Sequence, residues 1–573
     1  MTPEELCAKY NKIHQEVYKW FEVEFDHFGR TPTQKHTDIS QGVFKRLYEN
    51  GYLVEKTAEQ PFCEKHGSFL ADRFVEGECP RCHYDDARGD QCDKCGHLLD
   101  PFELINPRCK LDGATPVRRP TKHIHLLLDK LQPQIEQWVH KAIEEGNWPR
   151  NSRIITESWL KEGLKDRGIT RDLKWGVPVP LPGYENKVLY VWFEACIGYP
   201  SITANYTPEW EQWWRNPEDV QLYQFLGKDN VPFHSVIWPG CELGTKDKWT
   251  MLHNLSTTEY LNYEGGKFSK SRGIGVFGNN AAQTGVSPDV WRYYLLKNRP
   301  ETGDTHFEWR SFVDSNNGEL LAKLGNLVNR VIKLVTASYG STVPEFTVPE
   351  SFQPTLDEIT ASLRLYIEEM EGVHLRAGVA AAMKLAEAGN GLIQANRLDN
   401  TLIANEPERA AAVVGTVINL ISLLASVFEP FLPATRKSIL EQLDAPFALI
   451  PSLQDIDKKG GWKPDTIKPG HKIGKAKYLF SRIDPKKADE WRSLFGGSQA
   501  DRQKKEEEAA KAEAKKAANK ASRAKKKEKK ATKDEATNGE EVESTAKGGI
   551  EGKTDEAVDK VADGVAQVTI PSS

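Results

Sequence analysis

Apolar residues recur at helical spacing in the second half of this 573-residue chain. Between residues 319 and 335 they lie mostly three or four positions apart, which predicts a helix with one apolar face formed by Leu320, Leu324, Leu327, Val328, Val331 and Val335. The most apolar run, residues 410–428, is nearly long enough to span a bilayer. It contains Thr416 and Asn419 and ends in EPFLP, so we predict a buried helix instead. Together these stretches predict a helical bundle over residues 291–455.

The first half of the chain mixes two periodicities. Residues 125–146 have the spacing of a helix, whereas KVLYVWFEA at 187–195 and VQLYQFLG at 220–227 have the composition of strands. This alternation predicts an α/β sheet domain over residues 118–290. Residues 1–58 predict a helix followed by a loop. Residues 474–497 predict an amphipathic helix that docks on the folded body.

Composition and charge narrow the class of protein. The chain is 39% hydrophobic and 9% aromatic, which allows sizeable cores, and its net charge of -5 is small, so an anionic partner must be met locally. Neither a secretory signal nor a membrane span is predicted. Residues 502–533 hold 14 Lys and Arg against five Glu, and residues 534–573 hold ten Asp and Glu against three Lys. This tail, 498–573, is predicted to be disordered, and either contacts a nucleic acid backbone or is simply solvated.

Six of the nine cysteines lie between residues 63 and 109, which indicates metal ligation in a reducing compartment. The pairs CPRC and CDKC predict a tetrahedral structural Zn²⁺ site formed by Cys79, Cys82, Cys92 and Cys95. Two further pairs, CEKH and CKLD, either supply a second site or are non-ligating; their candidate ligands are Cys63, His66, Cys109 and Asp112. We therefore expect a metal-stabilised insertion at residues 59–117.

Four motifs occur in a distinctive order: the double CxxC pattern, VWFEACIGY at 191–199, FLGKDNVPFHSVIWPG at 225–240, and GKFSKSRG at 266–273. Together they resemble methionyl-tRNA synthetase of the eukaryotic cytosolic type, from the first residues to about residue 497. The resemblance implies an α/β class I synthetase fold, in which a Rossmann-type parallel sheet carries a zinc-knuckle insertion and is followed by an α-helical anticodon-binding bundle. It also implies a cytoplasmic methionine-tRNA ligase that activates L-methionine with ATP and Mg²⁺ to methionyl-adenylate and transfers it to tRNA.

The resemblance also implies which segment of the chain forms which domain. Residues 1–58 and 118–290 would be the two parts of the catalytic domain, separated by the insertion at 59–117. The bundle at 291–455 would bind the anticodon, and residues 456–497 would form a linker and a docking helix.

The resemblance also implies roles for single residues around ATP. In the flexible KFSKS loop Lys267 and Lys270 would bind the triphosphate and stabilise departing pyrophosphate, with Ser269 and Ser271 beside them. Gly227 and Asp229 match positions that hold the adenosine ribose, and Arg171 matches an arginine near ATP and the tRNA acceptor end.

The methionine side chain would occupy a pocket that suits a thioether, because aromatic rings favour contact with sulfur. Its implied lining is Trp192, Ala195, Tyr199, His234 and Trp238. Glu194 stands where the family usually has aspartate.

In the bundle, Asn326 and Arg330 match positions that contact the CAU anticodon of initiator and elongator methionine tRNA. Four residues apart, they share one helix face and offer hydrogen-bond donors to bases. A Pro-Trp pair of many members is Leu398-Asp399 here.

Two family motifs, HIGH and a DEYGT-like stretch, occur nowhere in the sequence. Because the first residues resemble family sequence that follows both motifs, we expect Met1 to be either an internal methionine of a longer sequence or the start of a truncated product. In both cases we expect the Rossmann sheet to be incomplete at its N-terminus. We therefore expect no methionine-dependent ATP-pyrophosphate exchange from this chain alone. The alternatives are a truncated tRNA-binding protein and a zinc-knuckle nucleic-acid-binding module. A missing N-terminal domain could also bind a multi-synthetase partner or tRNA cofactor.

Overall fold

The computed structural model describes residues 1–71, 74–89, 92, 99–270 and 272–497. They divide into two units, one formed by Met1–Thr57 with Lys122–Gly496 and the other by Ala58–Thr121 with Gly497. Cys95, Ser271 and the predicted tail at 498–573 lie outside the described residues.

The α-helices of the first unit up to residue 314 are α1 Pro3–Trp20, α2 Gln34–Glu49, α3 Leu128–Glu145, α4 Arg150–Glu162, α5 Val191–Glu194, α6 Gly198–Tyr206, α7 Glu211–Trp214, α8 Trp238–Thr245, α9 Gly278–Ala281, α10 Pro288–Lys297 and α11 Trp309–Asp314. Those that follow are α12 Asn326–Ser338, α13 Gln353–Glu371, α14 Leu375–Ala395, α15 Asn400–Asn405, α16 Pro407–Val427, α17 Pro433–Leu443, α18 Leu453–Lys458 and α19 Lys486–Leu494. Two stretches, Phe233–Ile237 and Ser315–Gly325, are π-helical.

The strands are β1 Leu53–Cys63, β2 Ser68–Phe69, β3 Val75–Glu78, β4 Ala87–Arg88, β5 Ile105–Cys109, β6 Val117–Leu126, β7 Arg167–Gly168, β8 Thr170–Arg171, β9 Val188–Leu189, β10 Leu222–Gly227, β11 Leu252–Thr258, β12 Leu261–Tyr263 and β13 Thr305–Phe307.

A parallel strand pair supports the region predicted to be α/β. β10 runs parallel to β11, with Leu226 opposite Thr257, and Leu222, Leu252 and Leu255 pack in one core with Trp148. β12 and β13 form a second parallel pair. The strand predicted at 220–227 and the helix predicted within 125–146 are both confirmed.

The strand predicted at 187–195 is wrong for most of its length. Only Val188 and Leu189 are strand, and Val191–Glu194 form a helical turn. Local composition favours a strand here, because the segment is rich in β-branched and aromatic residues. Tertiary packing overrides that preference, since the helical turn buries Phe193.

The loop predicted after the first helix is also wrong, because α2 occupies part of it. Thr33 caps the helix by accepting a hydrogen bond from the backbone N–H of His36. The buried positions are His36, Ser40, Val43, Phe44 and Leu47, at spacings of one, three and four. The polar residues His36 and Ser40 lie on the buried face, which hides the apolar period in the sequence.

The helical bundle is confirmed, and α16 is its central helix. It is long and apolar enough to span a membrane, yet each residue from Ala410 to Val427 is buried within the first unit. The predicted apolar face is confirmed as well, since its six members, Leu320 to Val335, are all buried.

The C-terminal segment of this unit is helical over a shorter range than the predicted 474–497. α19 covers only Lys486–Leu494, with Pro485 as its N-cap residue, and residues 474–484 form no helix. Trp491 packs on Trp309 with ring centroids 5.1 Å apart, so the prediction of docking is confirmed.

The second unit is small and rich in sulfur. β3 pairs antiparallel with β4 and β5. Its described core consists of Cys63, Leu70, Val75, Cys79, Ala87, Cys92, Leu99, Leu104 and Cys109.

Candidate functional site

Tyr199 and His234 meet in the region predicted to bind methionine. The Tyr199 hydroxyl lies 2.8 Å from Nε2 of His234, and His234 Nδ1 lies 2.8 Å from the carbonyl oxygen of Asn230. Since Nδ1 must donate to that carbonyl, Nε2 accepts from the tyrosine. Burial lowers the pKa of His234 and raises the pKa of Tyr199 to about 12, so both groups are neutral near pH 7.

Trp192 forms an aromatic wall next to this pair. Its ring stacks on Phe233 at a centroid distance of 4.4 Å, and 41% of the tryptophan remains exposed. Ala195, one turn after Trp192, is half-buried. Trp238 is only 2% exposed and packs on Trp249, so it lies deeper in the core than the other predicted pocket residues.

His36 connects the two short helices that carry Trp192 and Tyr199, and sequence reasoning missed it. Its Nε2 lies 2.5 Å from Glu194 at the end of α5, and its Nδ1 lies 2.9 Å from the hydroxyl of Ser201 in α6. His36 is 2% exposed. Glu194 thus has a buried partner, which no local spacing could have indicated.

The predicted phosphate-binding loop is a small hairpin. Ser269 and Ile274 exchange backbone hydrogen bonds of 2.9 Å, and Gly273 adopts φ +64°, a conformation that glycine allows without strain. Lys267 and Lys270 are exposed, and the Lys270 ammonium lies 5.4 Å from the Tyr10 ring centroid. Ser271 lies outside the described residues.

Aromatic packing holds the base of this hairpin. Phe268 packs against Tyr263 and Phe277 at centroid distances of 5.3 and 5.7 Å. The Gly275 N–H donates to the carbonyl oxygen of Phe495, which directly follows α19. The C-terminal segment therefore anchors the loop at its base and leaves the two lysines exposed.

The carboxylate predicted to hold the ribose contacts a tyrosine. The Tyr260 hydroxyl lies 2.8 and 2.7 Å from the two oxygens of Asp229. Burial and this bond raise the pKa of Tyr260 to about 12. Tyr260 directly precedes β12, the strand that leads into the hairpin. Gly227, the other predicted ribose residue, ends β10 and is exposed.

Arg171 packs on the residue that directly precedes α5. Its guanidinium carbon is 3.5 Å from the centroid of the Tyr190 ring, and Tyr190 is the N-cap residue of α5. Arg171 Nη1 also donates to the carbonyl oxygen of Thr170 at 2.8 Å.

Three cysteines converge in the second unit. The sulfur atoms of Cys79, Cys82 and Cys92 lie within 4.8 Å of one another, and Cys82 and Cys92 are separated by 3.6 Å. Tetrahedral zinc with bonds of about 2.3 Å to sulfur requires ligand separations near 3.8 Å. The described sulfurs fit Zn²⁺, and the predicted fourth ligand, Cys95, lies outside the described residues.

The second candidate cluster is assembled completely. His66 Nδ1 lies 3.2 Å from the sulfur of Cys63, 3.8 Å from that of Cys109 and 3.1 Å from Oδ2 of Asp112. Mixed sulfur, nitrogen and oxygen ligands of zinc are expected about 3.3–3.8 Å apart. The four donors therefore fit a tetrahedral ion.

Asn326 and Arg330 are both exposed on α12. Arg330 Nη2 donates to the carbonyl oxygen of Leu398 at 2.8 Å, which brings the turn after α14 to the predicted anticodon-binding face. One guanidinium donor is used in this contact and others stay available.

Two family profiles match consecutive parts of the chain. The profile described as "tRNA synthetases class I (M)" covers residues 1–332, and "Anticodon binding domain of methionyl tRNA ligase" covers residues 344–500.

The chain is 57% identical over 501 residues to the cytoplasmic methionine-tRNA ligase of Saccharomyces cerevisiae, covering 87% of this chain and 66% of that protein. It is 55% identical over 504 residues to the probable cytoplasmic methionine-tRNA ligase of Schizosaccharomyces pombe, covering 87% and 63%. The chain thus spans just under two thirds of the length of these relatives.

The fold is similar to that of Mycobacterium tuberculosis methionyl-tRNA synthetase bound by methionyl-adenylate, with a TM-score of 0.65 at 18% identity over 83% of this chain and 87% of that one. At this identity the likeness shows the fold alone, and it agrees with the predicted class I synthetase architecture. The chain belongs to the methionyl-tRNA synthetase family of class I tRNA synthetases.

Proposed function

We propose that the chain is the catalytic and anticodon-binding part of a methionine-tRNA ligase. The observation that carries this proposal is the uncharged, aromatic site in which the Tyr199–His234 hydrogen bond lies beside the Trp192–Phe233 stack. A neutral histidine and tyrosine avoid placing a charge next to a thioether, and the aromatic rings offer it polarizable contacts.

In the proposed reaction a carboxylate oxygen of L-methionine attacks the α-phosphorus of Mg²⁺-bound ATP, and the bond to pyrophosphate breaks. Lys267 and Lys270, exposed on the hairpin, would stabilise the negative charge that develops on pyrophosphate. Asp229 would accept hydrogen bonds from the ribose hydroxyls, and Tyr260 would hold its carboxylate in position. Ser269, Ser271 and Gly227 would border the nucleotide.

In the second step a ribose hydroxyl of the tRNA acceptor end attacks the methionyl carbonyl carbon, and AMP leaves. Arg171 would lie on the side of ATP and the acceptor end. Asn326 and Arg330 would contact the anticodon of initiator and elongator methionine tRNA. These exposed donors suit single-stranded bases.

We propose structural Zn²⁺ at Cys79, Cys82, Cys92 and Cys95, and a second Zn²⁺ at Cys63, His66, Cys109 and Asp112. A full set of protein ligands leaves no open coordination position, so the ions would stabilise the insertion and take no part in catalysis. The relatives' names support a cytoplasmic location. The domain boundaries and the multi-synthetase or tRNA-cofactor partner stay predictions.

A ligand-binding experiment tests the function without requiring turnover. The 573-residue chain is titrated calorimetrically with methionyl-sulfamoyl-adenosine, a stable analogue of methionyl-adenylate, and with its leucyl counterpart. We expect binding of the methionyl analogue and at least tenfold weaker binding of the leucyl one, because the pocket is complementary to the thioether.

Two variants locate the binding. Trp192→Ala removes one aromatic wall and should weaken binding of the methionyl analogue, whereas Trp213→Ala, at a tryptophan that is 57% exposed, should leave it unchanged. Failure to bind either analogue, or equal affinity for both, would contradict the proposed function.

A further inference from the structure

The turn between α14 and α15, residues 396–399, lies beside the predicted anticodon pair, and three of its four residues have structural tasks. Asn396 is buried, and its Oδ1 accepts from Nε of Arg409 at 2.8 Å. The Leu398 carbonyl oxygen accepts from Arg330. Asp399 caps α15 by accepting from the backbone N–H groups of Thr401 and Leu402 at 2.8 and 3.0 Å. The backbone of this turn is therefore held from three sides.

Arg397 differs from these neighbours. Its side chain is exposed, and within the part of the chain that the structure describes it makes no hydrogen bond or ion pair. Its backbone has φ +50°, in the left-handed region that a long side chain seldom adopts. Such strain persists only where surrounding contacts impose it, and here the contacts of Asn396, Leu398 and Asp399 impose it.

The charge around the turn favours a contact with RNA. The nearby Glu406 carboxylate is paired with Arg409 at 3.1 Å, and Asp399 is engaged by two backbone donors. Arg397 directly precedes the residue whose carbonyl oxygen Arg330 contacts, and both arginines are exposed. A guanidinium plane can stack on an unpaired base, as an aromatic ring does, and it carries the charge that a nearby phosphate requires.

We propose that Arg397 is a specificity-determining residue that stacks on a base of the anticodon loop in methionine tRNA. This inference rests on the proposed function of the bundle. The turn has Leu398 and Asp399 and therefore no aromatic ring that could stack on a base. Among the described polar residues of the turn, Arg397 is the one whose side chain makes no hydrogen bond or ion pair. Arg330 then has a double role, because it fixes the turn through Leu398 and keeps further donors for a base.

The experiment measures equilibrium binding of the 573-residue chain to methionine tRNA transcripts, with CAU and with single changes at each anticodon position. We expect Arg397→Ala to weaken binding of the CAU transcript about tenfold or more, in line with the loss of one stacked base. Binding of transcripts already changed at the stacked position should fall much less, so discrimination decreases. Arg397→Lys should not restore it, because an ammonium has no planar face.

The variant Arg397→Gly separates loss of the side chain from misfolding. Glycine adopts φ +50° without strain, so this variant should be at least as stable as the wild type and should still bind the CAU transcript more weakly. The matched control is Arg376→Ala, an exposed arginine about 30 Å away at the other end of α14, which should change nothing.

Four outcomes would overturn the inference. One is unchanged CAU binding by Arg397→Ala. Another is an equal loss for all anticodons that Arg397→Lys reverses, which would indicate a phosphate contact. The third is a wild-type chain that binds all transcripts equally, which would contradict the bundle's proposed function as well. Anticodon discrimination by the wild type that Arg397→Ala leaves intact would overturn the inference alone.

Discussion

The helical bundle and the cysteine-rich insertion differ in the size and composition of their cores. The bundle surrounds α16, whose residues Ala410–Val427 are all buried, and it shares one large apolar core with neighbouring segments. The insertion has a small core in which Cys63, Cys79, Cys92 and Cys109 take the place of larger apolar side chains.

The two cores indicate different sources of folding free energy. Burial of apolar area stabilises the bundle by roughly 25 cal/mol per Å². The smaller core of the insertion gains less from burial, and the proposed Zn²⁺ would stabilise its converging sulfur atoms as thiolates. We therefore predict that zinc removal destabilises the insertion, and that truncation of a buried apolar side chain destabilises the bundle.

Metal removal should have the largest effect. A zinc chelator should unfold the insertion, because structural Zn²⁺ contributes about 10 kcal/mol to small zinc domains. Hydrogen exchange read by mass spectrometry should show loss of protection over residues 74–89 and 99–121, with protection over α16 unchanged. Retained protection in the insertion would show that apolar packing is sufficient there.

Loss of one ligand from the mixed cluster should have a smaller effect on the same unit. Asp112→Asn keeps the Oδ1 atom that accepts from the Ala114 N–H at 2.9 Å, but it removes the carboxylate charge. We expect elemental analysis to show about one zinc ion per chain where the wild type should hold about two, and we expect the insertion to lose part of its metal-dependent stability. Asp100→Asn, which changes a helix-like turn outside the cluster, should keep the wild-type zinc content. Equal zinc content in Asp112→Asn and the wild type would remove the second site from the proposal.

Core truncation should act on the bundle. Leu420→Ala removes a fully buried side chain of α16 and should lower the free energy of unfolding by about 3 kcal/mol, because it leaves a cavity. Leu449→Ala, at a leucine that is 84% exposed, should change it by less than about 0.5 kcal/mol. Urea unfolding followed by circular dichroism measures the free energy of unfolding of both variants. Similar losses of this free energy would mean that α16 is not the central helix of the bundle.

The smallest expected effect is on the pH dependence of stability, through Asp289, a buried carboxylate in α10. Asp289 is 1% exposed, and its Oδ2 accepts from the backbone N–H and the hydroxyl of Thr435, both at 2.6 Å. Burial raises the pKa of Asp289, and these bonds and the charge of Arg292 oppose the rise. Because the folded state then holds the proton more tightly than the unfolded state, stability should fall as pH rises from the ordinary carboxyl range through the raised pKa.

Asp289→Asn should flatten that pH dependence, since the amide oxygen can still accept from Thr435 and no charge develops. Urea midpoints measured at several pH values check this. The control is Asp357→Asn, at an exposed carboxylate on α13, which should keep the wild-type slope. A slope that steepens in Asp289→Asn would show that the carboxylate is stabilising when charged.

Periodicity and spacing predicted much of the fold. The apolar face of residues 320–335 and the buried α16 follow from side chains that pack on one face of a helix, and this packing depends on positions three and four apart. Close spacing within each CxxC pair likewise predicted the convergence of Cys79, Cys82 and Cys92. The motif order led to the family, and the roles of the site residues remain predictions.

Neighbours along the chain were thus enough to predict the helices of the bundle, the metal-ligand pairs and the family. Tertiary structure decided what depends on partners far away in sequence. His36 meets Glu194 and Ser201 across more than 150 positions, Tyr260 reaches Asp229, and the left-handed Arg397 lies beside Arg330. Such contacts follow from the packing of whole elements, and local composition does not encode which distant residue supplies the partner.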